Sequence, residues 1–191
     1  MNHSKWRFAC AANLFALLLL LCGQASAQTT GSVTDPRDGK TYATVKMGGK
    51  VWMAQNLNYA TSDSWCYMDK PELCADYGRL YTWDAAMQAC PAGWRLPTDK
   101  DWEALEKLNG GADNAGRELL QGGKSGFNAT LGGIRCADGS FVNSGIYGDY
   151  WTSTMNAEGE VYMRYFFVQH RKIYRLSFHK DTGRSVRCIK D

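Results

Sequence analysis

Cys90-Pro91-Ala92-Gly93-Trp94-Arg95-Leu96-Pro97-Thr98-Asp99-Lys100-Asp101-Trp102 is the stretch from which the rest of the chain is read. Pro91 stops one helix, and Thr98-x-x-Asp101 opens the next as a capping box with Asp in place of Glu. The first helix is expected over Tyr81–Ala89, with Thr82 as N-cap and Asp84 in its first turn. In the second, Trp102, Leu105 and Leu108 fall on one face, and Asn109-Gly110-Gly111 ends it. A short third helix is expected over Ala115–Gln121. Asp99 with Asp101, and Glu103 with Glu106, read as capping and solvated-face residues and not as an acid–base pair.

Upstream, Thr29–Asp38 is a polar lead-in. Thr41–Met47 and Lys50–Ala54 are strands joined by Gly48-Gly49, since glycine supplies the positive φ of a tight hairpin turn. Ala60–Tyr77 reads as a long surface loop. Downstream of Gly122 the texture changes to short aromatic and β-branched runs broken by glycine. Strands are expected at Gly148–Thr154, Val161–Val168, Lys172–Phe178 and Ser185–Lys190. Gln169-His170-Arg171 and Lys180-Asp181-Thr182-Gly183 suit hairpin connections. In the last strand Val186 and Cys188 share a face by the period of two. The order of these elements gives an α+β, loop-rich class: two main helices in the first half, packed on short antiparallel strands.

The chain has 191 residues. Lys5 and Arg7 precede an apolar run, Phe8–Leu21, of signal h-region length, and Ala25-Ser26-Ala27 is a small-x-small cleavage site. The run is shorter than the roughly twenty residues a membrane helix needs. Residues 1–27 are therefore expected to be a signal peptide and 28–191 a single domain, with 28–38 its lead-in. Cys22 raises lipidation as an alternative, against which Leu21 stands where a small residue is usual. The chain is expected to be exported, whether periplasmic, cell-surface or secreted. The first 27 residues hold two of the 22 basic residues and none of the 19 acidic ones, leaving 28–191 one charge above neutral. No Lys/Arg cluster suits a row of phosphates, so nucleic acid is not an expected partner.

Five of the seven cysteines follow residue 27. In an exported chain they read as disulfides plus one left over. Cys66 and Cys74 bracket a short polar segment, a local staple worth about 2–3 kcal/mol. Cys90 with Cys188 would close a loop of almost a hundred residues, worth about 4–5 kcal/mol. Cys136 is then a free thiol or an interchain partner, although the spacing allows other pairings. With no CxxC and only His170 and His179 after residue 27, a zinc site is not expected.

Five ordered motifs carry a resemblance: Val51–Leu57, Gly78–Trp83, Cys90–Thr98, Tyr150–Thr154 and Ser185–Cys188. Together they resemble the Fibrobacter succinogenes major paralogous domain over roughly Val33–Asp191. That resemblance implies a C-type-lectin-like fold, shared with the formylglycine-generating-enzyme group, with a first helix tied to the last strand as Cys90–Cys188 would tie it. It implies no established activity. The Glu-Pro-Asn, Gln-Pro-Asp and Trp-Asn-Asp triplets of calcium-dependent lectins are missing, and carboxylates after Gly133 are sparse. Formylglycine chemistry needs a pair of active cysteines. Ser153 lacks nucleophile-elbow glycines, and Gly122-Gly123-Lys124-Ser125 lacks the first glycine of a phosphate loop.

The expected function is thus a non-catalytic binding or surface module for polysaccharide, cell wall or protein, with no cofactor. The alternative is an enzyme on the formylglycine-generating-enzyme-like scaffold. Among the aromatics, Trp65 is the least suited to a core, and Trp65, Tyr67 and Tyr77 are the candidate ligand-contacting residues, as one stacking platform.

Overall fold

The computed structural model describes residues 30–191; the expected signal peptide and its cleavage site lie outside them. The lead-in is a strand, β1 (Thr30–Thr34), paired antiparallel with β2 (Thr41–Met47). β2 turns at Gly48 and Gly49, with φ of 59° and 82°, into β3 (Lys50–Met53). The segment read as a surface loop instead folds: β4 (Ser64–Trp65), a 3-10 turn at Tyr67–Asp69, and α1 (Pro71–Tyr77). Pro71 at the first helical position pre-sets φ and gives up an amide that no helix would have used.

After β5 (Leu80–Tyr81) come α2 (Trp83–Ala89), α3 (Asp99–Leu108) and α4 (Ala112–Leu119). Thr82 caps α2. At α3, Thr98 Oγ1 accepts from the Asp101 amide and the Asp101 carboxylate accepts from the Thr98 amide at 2.8 Å. The strands that follow are β6 (Ile134–Arg135), β7 (Phe141–Val142), β8 (Tyr147–Met155), β9 (Val161–Phe167) and β10 (Ile173–Phe178). The expected last strand is split into β11 (Arg184–Ser185) and β12 (Ile189–Lys190), which join different sheets.

Among the described residues three sheets result: β1-β2-β3-β12, β10-β9-β8-β11-β5-β4, and the β6-β7 hairpin. β11 pairs parallel with β8 and antiparallel with β5, so Lys180–Gly183 is a crossover and not a hairpin. Because the chain between β11 and β12 passes from one sheet to the other, Val186, Arg187 and Cys188 are all fully buried and the period of two does not apply.

Two cores flank the six-stranded sheet. One is centred on Trp102, against Trp52, Phe127, Tyr150 and Phe166; the other gathers Leu57, Tyr81, Trp151, Met163 and Val186. The expected α3 stripe is half right. Trp102 and Leu105 are buried, but Leu108 is 57% exposed. The helical period turns Asp99 and Glu106 inward instead, onto the fully buried Arg164, with Arg164 Nη1 2.5 Å from Asp99 Oδ1. Arg175 binds Asp99 from the sheet edge at 2.8 Å. Burial raises the Asp99 carboxyl, but the hydrogen bonds from Arg175 and Arg164 outweigh it and hold the group below its ordinary value. Asp99 and Glu106 anchor the helix to the sheet, so the solvated-face reading fails for Glu106 and Asp99 does more than cap, whereas Asp101 caps the helix as expected.

Cys66 is bonded to Cys74 and Cys90 to Cys188, with Cα atoms 5.0 and 5.8 Å apart. The second bond joins the exit of α2 to the crossing between the sheets. The described residues are therefore an α+β domain with four helices, largely antiparallel sheets and two disulfides.

Candidate functional site

The motif residues converge at the clasped end, on Arg187. This guanidinium is fully buried with no carboxylate beside it. Its Nε donates to Asn56 Oδ1 at 2.6 Å, and its Nη groups donate to the carbonyls of Met53, Phe127 and Asn128 at 3.1, 2.5 and 2.6 Å. Phe127 lends its ring face 4.6 Å away. Asn56 spends its amide on Tyr77 O, Thr130 Oγ1 and Ser185 Oγ. A polar cleft of about 640 Å³ lies over this point, bordered by Tyr42, Gln55, Asn56, Asp76 and Asn128. Its Asn56 is saturated, and Gln55 Oε1 already accepts from the Ala43 amide at 2.7 Å. This end is built to hold itself together.

The opposite end of the six-stranded sheet is built differently. Strand alternation puts Tyr147, Asp149 and Trp151 of β8 on the same face as Met163, Tyr165 and Phe167 of β9 and Tyr174, Leu176 and Phe178 of β10. Trp151 and Met163 are covered by the second core. Further along, the face is open. Tyr147 stacks on Phe167, with ring centres 4.9 Å apart, and Tyr165 on Tyr174 at 4.5 Å. His170, in the β9–β10 turn, packs edge-on to Phe167, and its Nδ1 lies 2.5 Å from Tyr174 Oη. All four stacked rings are half-buried, while Leu176 and Phe178 are 52% and 44% exposed.

A groove of about 230 Å³ runs along this face, walled by Ile134, Tyr147, Met163, Tyr165 and Phe178, with Asp149 and Arg184 also lining it. These two form a buried ion pair, 4% and 2% exposed. Arg184 also sits over the rings of Phe178 and Trp151 at 4.8 and 5.0 Å. Yet Asp149 Oδ1 and Arg184 Nε have no hydrogen-bond partner. Burial pushes the Asp149 carboxyl up to about 6 against the pull of Arg184, and pulls the Arg184 guanidinium down. An aromatic groove with a few polar groups is the usual composition of a ligand site.

Trp65 and Tyr67 are brought together, but as supports. Trp65 stacks under the Arg135 guanidinium at 3.9 Å, and Tyr67 packs edge-on to Phe141 at 5.4 Å, both beneath the β6-β7 hairpin. Tyr77 stands apart, along a shallow cleft with Leu120 and Thr130. Gly132 and Gly133 lie between Tyr67 and Tyr77. A Cβ on Gly133 would lie 2.8 Å from the Tyr67 ring, and one on Gly132 would lie 3.5 Å from Tyr77 Cβ. The three rings do not form one platform. Cys136 is half-buried on the β6-β7 turn and has no sulfur partner among the described residues.

The aromatic face was missed in the sequence, although it left a signal. Tyr165 and Phe167 flank the core-facing Phe166, and Tyr174, Leu176 and Phe178 alternate with the polar Arg175 and Ser177. Among the described residues there is no group of three or more His, Cys, Asp or Glu able to hold a metal ion. None of their helices is long and apolar enough to cross a membrane.

The domain class is thus an α+β fold closed by a long-range disulfide, with an aromatic groove at one end of its main sheet. A family model, the Fibrobacter succinogenes major domain, matches residues 45–190, and the chain belongs to that family. The match runs from within β2 to β12. No curated protein and no solved structure matches the chain.

Proposed function

We propose that the protein is an exported, non-catalytic binding module of C-type-lectin-like fold, and that it holds polysaccharide on the open aromatic end of the six-stranded sheet. The observation that carries this reading is the pair of ring stacks beside a groove with an incompletely satisfied ion pair at its floor. Exposed apolar surface of this kind is costly unless used. Tyrosine rings offer an apolar body to the C–H faces of a sugar and a hydroxyl to its polar groups. The lectin-like reading draws support from β12 lying in one sheet with β1–β3, and from the clasp between α2 and the final strands. Export is supported by the expected signal peptide and by the two disulfides, which persist in oxidising compartments. The non-catalytic reading is supported by Cys188, which is fully buried and bonded to Cys90, and by Cys136 being the one unbonded cysteine among the described residues.

The test is affinity electrophoresis and pull-down on a panel of soluble and insoluble polysaccharides, with wild type and a Tyr165→Ala/Tyr174→Ala variant. Retention by at least one polysaccharide, reduced about tenfold or more in the variant with its fold intact, is the expected result. Retention unchanged by the variant would remove the aromatic end from consideration.

A further inference from the structure

Beyond the ring stacks the β9–β10 turn meets the end of α4 across a second cleft, of about 670 Å³. Arg117, Lys124, Arg171 and His170 line it, and Glu118 is its one acidic residue. Three separate segments supply the cations, and two glycines bring them together. A Cβ on Gly116 would lie 2.6 Å from the Arg171 carbonyl, so only glycine lets α4 close onto the turn; the Arg117 amide then donates to that same carbonyl at 3.2 Å. A Cβ on Gly123 would lie 2.3 Å from the Glu118 carbonyl, so the chain folds back over the helix end and sets Lys124 on the same rim. Arg117, Lys124 and Arg171 are exposed, and their side chains make no ion pair or hydrogen bond among the described residues. A cation in the last turn of a helix complements its dipole. That accounts for Arg117 but not for the other two. Clustered like charges repel one another and raise the local concentration of anions.

We infer that this cleft takes the sulfate or carboxylate groups of an acidic polysaccharide whose sugar rings lie on the adjacent aromatic face. The inference rests on the aromatic reading above and adds the chemical class of the ligand. His170 is the hinge between the two surfaces, since it contacts both Phe167 and Tyr174 and also borders the cleft. Guanidinium groups suit such oxyanions because their planar fork can bond two oxygens at once.

The test uses dextran and dextran sulfate, which share a backbone and differ in charge, with polygalacturonate to separate carboxylate from sulfate. Dextran sulfate or polygalacturonate should bind about tenfold or more tightly than dextran, with the advantage shrinking as salt screens exposed charge. In Arg117→Gln/Lys124→Gln/Arg171→Gln that advantage should fall to within about twofold, whereas Lys100→Gln/Lys107→Gln, on exposed positions of α3, should keep it. Equal loss in both variants, or no preference for the charged polymers in wild type, would overturn the inference. So would equally tight, equally cleft-dependent binding of a single-stranded oligonucleotide or of phosphatidylglycerol vesicles. If Tyr165→Ala/Tyr174→Ala binds dextran sulfate normally while the triple variant does not, the cleft stands and the aromatic reading alone fails.

Discussion

Arg184 and Arg187 lie three residues apart and are both buried, yet they are treated in opposite ways. Arg187 has no acid beside it and is nonetheless satisfied by four oxygens, drawn from Asn56, Met53, Phe127 and Asn128. Arg184 has Asp149 as a partner, and each still leaves one atom without a hydrogen bond. The first arrangement ties the motif residues, the clasp and the crossing between sheets into one rigid end. The second sits at the floor of an aromatic groove. A buried polar network is stabilising when complete and costly when partial. The contrast separates the part of the molecule that maintains the fold from the part available to a ligand.

Four outcomes would sharpen or break that contrast, beginning with the clasp itself. Replacing both Cys90 and Cys188 by Ser should cost about 4–5 kcal/mol in denaturant unfolding, because the loop they close spans 98 residues. A loss under about 1 kcal/mol would mean that the clasp adds little to that end. Next, Arg187→Met strands four acceptors and should cost about 4 kcal/mol. A variant as stable as wild type would show the hub to be dispensable.

The third outcome concerns pH. The Asp149 carboxyl titrates near 6 in the fold against 3.8 in its ordinary state. Between those values the native state binds the extra proton, so this group makes the fold most stable at the acidic end and stability is lost as pH rises through about 6. Asp99 and Asp101 are held below their ordinary values, so their contribution is complete above about pH 5 and adds almost no slope there. Melting curves should therefore show wild type losing roughly 1 kcal/mol between pH 5 and 7 relative to Asp149→Asn. Parallel curves would contradict the assignment. Smallest of all, Asp149→Leu/Arg184→Met should stay within about 1 kcal/mol of wild type, as expected when a poorly satisfied buried pair gives way to apolar side chains. A cost approaching that of Arg187→Met would erase the distinction between the two arginines.

What was legible in the sequence was what neighbouring residues decide. Gly48-Gly49 announced a hairpin, Thr98 and Asp101 a helix start, and Pro91 a stop. The structure has Cys66–Cys74, which its spacing suggested, and Cys90–Cys188, which the family resemblance favoured among the pairings left open. What was illegible depends on distant partners. Leu108 yields the inner face of α3 to Glu106 because Arg164, 58 residues away, needs its carboxylate. The last strand divides because β11 is claimed by β8 and β5 while β12 is claimed by β3. Trp65 and Tyr67 were rightly set outside the main cores, but Arg135 and Phe141 engage them. The ring stacks are hard to read from the sequence because β9 carries aromatics on both faces and a charged Arg164 on the buried one, which inverts the alternation that normally marks an exposed face.

Titration of the isotopically labelled protein with dextran sulfate, followed by NMR chemical shifts, would locate the ligand without any substitution. The shifts should concentrate on Tyr147, Tyr165, Phe167 and Tyr174 and extend to Arg117 and Arg171, with Asn56 and Arg187 unmoved. Shifts centred on the Asn56 cleft, with the aromatic rings silent, would place binding at a different site from the one proposed above.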